Sequence, residues 1–246
     1  MNNPLVRYEW IKDKSYEDIW AIQTEIHKDL IQKKLSKRDL NPEDVVLKDQ
    51  KHRFLICEHN HVYTLGKSGS INHLLLNDQE LLNKDIEFFK INRGGDITYH
   101  GPGQITGYPI LDLDEFFTDI HRYVRLLEEM IILYLEKWEL NGIRIDGYTG
   151  VWLPPNEKSQ SYRKICAIGV HMSRWVSMHG FAFNVNTDIS YFDKIIPCGI
   201  VDEDKKVTSL AKEIGRTLDI NEVGNDLLSI FADLFKCDII ANEQNR

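Results

Sequence analysis

Between Arg93 and Gln104 the chain reads Arg-Gly-Gly-Asp-Ile-Thr-Tyr-His-Gly-Pro-Gly-Gln, five glycine or proline residues in twelve, with Arg93, Thr98, Tyr99 and His100 set among them. Such a backbone can visit positive φ and lie close against a ligand, while the polar side chains line what it encloses. A nucleotide-phosphate cradle fails, because there is no Gly-Lys-Ser/Thr ending, no G-x-G-x-x-G and no following helix. What remains is a long hairpin turn or the wall of an active site. His100 and Tyr99 favour the wall, since a turn alone has no need of them.

Four cysteines, Cys57, Cys166, Cys198 and Cys237, are widely spaced with no C-x-x-C, which suggests neither a disulfide framework nor a zinc site. A cysteine is more often a small buried hydrophobe than a nucleophile, and that reading fits Cys57 beside Phe54-Leu55-Ile56 and Cys237 beside Asp238-Ile239-Ile240. Cys198 stands between Pro197 and Gly199, two residues that hold backbone shape and can present a thiol from a loop. Lys164 opens an otherwise apolar strand, and an ammonium beside a thiol lowers the thiol pKa. The ordinary alternative is a strand-end lysine with a solvated tip, and Lys158 and Arg163 are nearby rivals. Cys166 is a rival nucleophile, because period-two alternation puts it on the face of Lys164, although a mid-strand thiol is harder for a bulky substrate to reach.

The loop resembles the signature of the lipoyl(octanoyl) transferase family, of the lipoate-protein ligase B type. Further blocks are similar to that family's, in its order: Glu58-His59-Asn60-His61-Val62-Tyr63-Thr64-Leu65-Gly66, Lys164-Ile165-Cys166-Ala167-Ile168-Gly169, His179-Gly180-Phe181-Ala182-Phe183-Asn184-Val185-Asn186 and Pro197-Cys198-Gly199. They span residues 50–215, and several blocks in register are more specific than one loop. The resemblance implies an octanoyl group arriving as a thioester on acyl carrier protein, passing to Cys198, and leaving to a lysine ε-amine. The implied acceptors are the lipoyl domains of 2-oxoacid dehydrogenases and the glycine cleavage H protein. It assigns catalysis to Cys198 and Lys164, with Lys164 stabilising the thiolate and then accepting a proton. Substrate binding falls to Arg93, Gly94, Gly95, Asp96, Ile97, Thr98, Tyr99, His100, Ala167, Ile168, Gly169, Gly180, Phe181 and Ala182. Exchange between thioesters is nearly balanced in energy, so no cofactor, ATP or metal is expected. Backbone N–H groups at these bends are expected to hold the thioester oxygen.

These residues need rigid supports. Ser15 caps a first helix with Ile19, Ile22, Ile26 and Leu30 on one stripe, ending before Asn41-Pro42. Strands are expected at 53–58 and 62–65, a short helix at 74–83, and strands at 86–91 and 105–113 flanking the glycine loop. His59 and His61, in the turn between the first two strands, lack a third ligand for a metal. Residues 118–140 form the clearest amphipathic helix, stopped by Asn141-Gly142. Short strands follow at 143–145, 150–153, 164–171, 175–177 and 181–185, with a polar hairpin tip at 154–163, and helices at 208–214 and 222–235 end the chain. Strands and helices without strict βαβ alternation predict an α/β (α+β) fold: one domain over 1–246 with a mixed β-sheet flanked by helices. This agrees with the biotin/lipoate-protein ligase catalytic fold that the resemblance implies.

A chain of 246 residues, 42% hydrophobic and 28% charged, can build a substantial core, and no apolar run is long enough to span a membrane. The first residues lack the pattern of a secretory or transit segment, so a cytoplasmic location is expected. A net charge of −8 argues against nucleic acid, and it also repels acidic acyl carriers. Lys33, Lys34, Lys37 and Arg38 are the candidates for a local basic patch, although cations at a helix end are usually just solvated. An ATP-dependent lipoate or biotin ligase of the same fold would not need Cys198. A non-catalytic module binding acylated carriers would need neither Cys198 nor Lys164.

Overall fold

The computed structural model describes residues 3–37, 52–196 and 204–242. The chain runs β1 (Leu5–Ile11), α1 (Tyr16–Lys37), β2 (His52–Cys57), β3 (Val62–Leu65), α2 (Asp78–Asn83), β4 (Glu87–Lys90), β5 (Ile97–His100) and β6 (Gln104–Ile110). Then come α3 (Ile120–Glu136), β7 (Ile143–Ile145), β8 (Tyr148–Leu153), β9 (Tyr162–Ser173), β10 (Val176–Asn184), β11 (Lys205–Val207), α4 (Leu210–Ile214), α5 (Ile220–Phe235) and β12 (Asp238–Ala241). Among the described residues the strands form a nine-stranded sheet, β12-β1-β2-β6-β10-β9-β8-β7 with β11 on β9, and a three-stranded sheet, β4-β3-β5. The large sheet is mixed: β1 runs parallel to β2 and β12, while β2, β6, β10, β9 and β8 are antiparallel in turn.

Helices cover both faces of the large sheet, which explains the unbroken apolar run in β2. Phe54 and Ile56 point into the main core under α3 and α5, with Leu127, Ile131, Leu227 and Phe231. Their neighbours Leu55 and Cys57 point the other way, to Ile19 and Leu30 of α1, as strand alternation requires. Helix starts follow local chemistry. Asp119 accepts from the Arg122 N–H at α3, Asp219 from the N–H groups of Asn221 and Glu222 at α5, and Asn77 and Glu80 form a capping box at α2. The small sheet has its own core of Tyr63, Leu65, Ile97, Tyr99, Phe192 and Ile195.

Several expectations change. β1 is absent from the sequence reading although Val6, Tyr8 and Trp10 alternate with Arg7 and Glu9; its pairing with β2 and β12 is fixed by distant residues. The glycine loop is not a hairpin within one sheet. Residues 97–100 are a strand, and the loop carries the chain from the small sheet to the large one. The strands expected at 175–177 and 181–185 are one strand, β10, and the bend at its middle is His179 at φ 60°. The turn before it is Arg174-Trp175, both at positive φ. This is the two-residue geometry that suits a twisted hairpin, held here because the Arg174 carbonyl accepts from Lys34 and the Trp175 carbonyl from the Leu113 N–H.

Candidate active site

The two sheets enclose a cavity of about 470 Å³, within the range of small-molecule sites. Its wall includes Arg93, Gly94, Gly95, Asp96, Ile97, Thr98 and His100 from the glycine loop and β5. Lys164, Ala167, Ile168 and Gly169 of β9 and Gly180, Phe181 and Ala182 of β10 also line it. Tyr99 does not. Alternation along β5 turns its ring into the small-sheet core, stacked on Tyr191 with centroids 4.8 Å apart, and its hydroxyl meets His61 Nδ1 at 2.7 Å.

Close packing of backbone on backbone sets the shape of the slot. The Gly94 N–H donates to the Val170 carbonyl at 2.9 Å, so it is taken and cannot hold a thioester oxygen. A Cβ on Gly169 would stand 2.9 Å from the Gly94 oxygen, and one on Gly180 would run into the Gly107 oxygen of β6. Only glycine lets the loop lie on β9, and β10 on β6, at these distances.

A buried hydrogen-bond chain ties the loop to both sheets. Arg93 donates to the Thr64 carbonyl (2.6 Å), to Thr64 Oγ1 (3.0 Å) and to the Gly94 carbonyl (2.9 Å), stapling the loop to β3. Thr64 Oγ1 lies 3.3 Å from His100 Nε2, and His100 Nδ1 lies 2.8 Å from Gln104 Oε1. The Gln104 amide donates to the Tyr99 carbonyl and to Asn184 Oδ1, and Asn184 donates to the Thr208 carbonyl. With the Gln104 orientation fixed this way, its oxygen must accept from His100 Nδ1–H, leaving Nε2 as the acceptor. Burial, aided by the Arg93 charge, lowers the His100 pKa to about 4, so the ring is neutral. His179 is pushed down further, to about 3, by burial and then by Arg93 and neighbouring histidines. Its ring meets Asn92 Oδ1 at 2.8 Å and its backbone N–H donates to Gln23, which holds the left-handed kink.

Lys164 sits where β9 begins. Its backbone carbonyl accepts from the Thr208 N–H at 3.0 Å, and its ammonium lies 4.7 Å from the centroid of the buried Trp152 ring, a cation–π contact that aims it along the cavity wall. Beneath it the Arg163–Glu213 ion pair at 2.9 Å and the Thr208 hydroxyl on Glu213 fix the strand end. Arg163 is thus a structural partner rather than a rival to Lys164. Lys158 lies outside the cavity lining.

Cys166 does not share the Lys164 face. Val151 pairs with Cys166 but Trp152 pairs with Lys164, so Ile165 is an extra residue in β9, and the bulge sends both Ile165 and Cys166 into the main core. Burial, with Glu128 nearby, pushes the Cys166 thiol far up. Cys57 is likewise buried and pushed up to about 12, and Cys237 is a core thiol. Pro197, Cys198 and Gly199 lie outside the described residues.

The two histidines of the 58–61 turn diverge, His59 to the Tyr108 hydroxyl at 2.7 Å and His61 to Tyr99 and Tyr191. Of the basic cluster on α1, Lys34 is consumed by Asp112 and Asp114, at 2.7 Å each, with its side chain 9% exposed, so it is not a docking cation. Arg38 lies outside the described residues.

Tyr16, Gln104, Tyr108, His179, Asn184 and Phe192 also line the cavity and were not singled out as site residues from the sequence. The spacing of Gln104 four residues after His100, and the place of His179 and Asn184 inside one family-like block, carried the signal for three of them. Tyr16 and Tyr108 come from segments that read only as core.

A mixed sheet clothed by helices, a smaller sheet folded over it, and a glycine-walled slot between them define a lipoate-ligase-like catalytic fold. Solved structures share it. Lipoate-protein ligase A bound with ATP superposes with a TM-score of 0.64 at 16% identity, over 98% of this chain and 89% of that one. A bi-partite lipoate protein ligase from Thermoplasma acidophilum gives 0.65 at 15%, over 98% and 87%. The match to the model of the lipoyl protein ligase A/B catalytic domain runs over residues 15–232, and the chain belongs to that family. It is 52% identical over 227 residues to an octanoyltransferase of Christiangramia forsetii, covering 92% of this chain and 94% of that protein. An octanoyltransferase of Flavobacterium psychrophilum is 49% identical over 239 residues, 97% and 100% of the two chains.

Proposed function

We propose that this protein is an octanoyltransferase acting as one catalytic domain, moving an octanoyl group from acyl carrier protein to the lysine of lipoyl domains through a thioester on Cys198. The observation that carries the reading is the coincidence of two facts. Relatives about half identical over nearly the whole chain bear that name, and the slot between the sheets is floored by Gly94, Ala167, Gly169, Gly180 and Ala182, small enough to admit an unbranched alkyl chain.

In the first half-reaction the Cys198 thiolate adds to the donor carbonyl and expels the donor thiolate, one C–S bond forming as another breaks. Lys164, as an ammonium, stabilises the attacking thiolate and then gives its proton to the departing donor thiolate, which leaves as the free thiol while Lys164 is left neutral. In the second, the acceptor amine adds to the acyl carbon, the C–N bond forms, and the C–S bond to Cys198 breaks. Neutral Lys164 accepts the proton the amine sheds, and the thiolate leaves beside the ammonium so formed. Arg93, Asp96 and His100 hold the wall rather than react: Asp96 accepts from the Ile97 N–H and pairs with His73, and His100 is locked between Thr64 and Gln104.

The test is transfer itself. Octanoyl-acyl carrier protein and an unmodified lipoyl domain, incubated with the enzyme, yield an acceptor heavier by one octanoyl group. An acceptor unchanged in mass, with the donor intact, would rule the reading out.

A further inference from the structure

A second cavity, of about 570 Å³, shares Lys164, Phe192 and Val207 with the first, so a molecule threaded through both would pass Lys164 on the way. Its character is different. Where the first is walled by glycine and alanine, the second carries Lys164, Lys205, Lys206 and Lys212 against Asp188 and Asp193. Pairing of Lys206 with Arg163 and of Val207 with Lys164 sets the basic strand β11 alongside the start of β9. Asp188 is occupied in capping the turn at Ser190, and Lys205 is drawn to Asp204 at 3.1 Å and to the Tyr148 ring at 4.8 Å. Lys206 and Lys212 extend their side chains into solvent at the rim. On a chain of net charge −8 this is a local excess of positive charge at the mouth of an acyl slot.

We propose that this second cavity receives the pantetheine arm of the acyl donor, with Lys206 and Lys212 meeting the phosphate at the arm's far end. The proposal rests on the acyl-transfer reading above. A fatty acyl thioester on a carrier has two dissimilar halves joined at the reacting carbonyl: an alkyl chain, and a polar arm ending in a phosphodiester. The two cavities have the same two characters and meet at Lys164. The acceptor brings an ammonium, which the lysine wall repels, so charge assigns the cavity to the donor. Lysine serves phosphate as a point charge, so the effect must fall with added salt.

The experiment compares two small donors, octanoyl-4′-phosphopantetheine and octanoyl-pantetheine, by the rate at which each acylates Cys198, read by quench and intact mass. In the parent enzyme the phosphorylated donor is preferred by about tenfold in kcat/KM at low salt, the effect of one charge-assisted contact. Lys206→Glu combined with Lys212→Glu brings that ratio to about one, and high salt does the same in the parent. A parent with no preference, or a preference that survives the double charge reversal, overturns the cavity assignment and leaves acyl transfer standing. Acylation by neither small donor, with octanoyl-acyl carrier protein still acylating Cys198, overturns the cavity assignment alone; acylation by none of the three overturns the acyl-transfer reading and the cavity assignment with it.

Discussion

In the proposed reaction Lys164 acts in two protonation states in turn. Its ammonium lies over the Trp152 face, at the edge of the acyl slot. Lys164→Ala is expected to let the Cys198 thiol rise toward its ordinary value of about 8.5 and to slow both half-reactions, the second by ~100- to 10,000-fold. Lys164→Arg keeps the charge but cannot act as a base near neutral pH, so acyl-enzyme forms and stalls. Rapid-mixing kinetics of the two steps, with iodoacetamide rates against pH for the thiol, check this; parent-like behaviour of Lys164→Ala in both steps would move the base elsewhere. His100 is a poor substitute despite its place in the wall, since its Nδ1–H is held by Gln104 and its Nε2 faces Thr64. The role of Cys166 was legible only in part: alternation placed it beside Lys164, and a single bulged residue, which no local pattern announces, turned it into the core.

At the scale of elements, the site depends on two pairs of backbones, the glycine loop on β9 and β10 on β6, lying closer than side chains allow. Gly180→Ala forces its Cβ into the Gly107 carbonyl, prying β10 from β6 at the centre of the sheet, and is expected to cost about 1–3 kcal/mol or more, seen as a lowered urea midpoint. Gly169→Ala presses on the Gly94 oxygen from the outside of the loop, so it is expected to fold but to raise KM for the acyl donor several-fold; an unchanged KM would mean that the loop does not form the slot. The helices α1, α3 and α5 and most strands were legible because each has its own periodicity and caps. The strand at Asp238-Ile239-Ile240 was legible and β1 was missed despite its alternation; their parallel pairing, which joins the two ends of the chain, leaves no local trace. The second sheet was hidden for a related reason: strands of equal apolar character give no sign of which sheet they join.

For the whole molecule, the buried histidines make stability depend on pH. His100 and His179 are neutral when folded, with pKa values of about 4 and about 3, and His59 is also held well below the usual range by burial. Unfolded, each titrates near 6.5, so below that value the unfolded chain binds more protons and stability falls, by up to about 1.4 kcal/mol per pH unit for each ring. Above about pH 7 these rings contribute no slope. Urea midpoints are expected to drop between about pH 7 and pH 5, and His100→Gln to flatten that drop; an identical slope in the variant would contradict the buried neutral ring. The proposed reaction carries an acyl group on one thiol, and intact-mass analysis after incubation with octanoyl-loaded acyl carrier protein tests this most directly. The account predicts one octanoyl adduct on the parent, mapped to Cys198, its loss in Cys198→Ala, and its persistence in Cys166→Ala. An adduct that survives Cys198→Ala, or none on the parent, would contradict it.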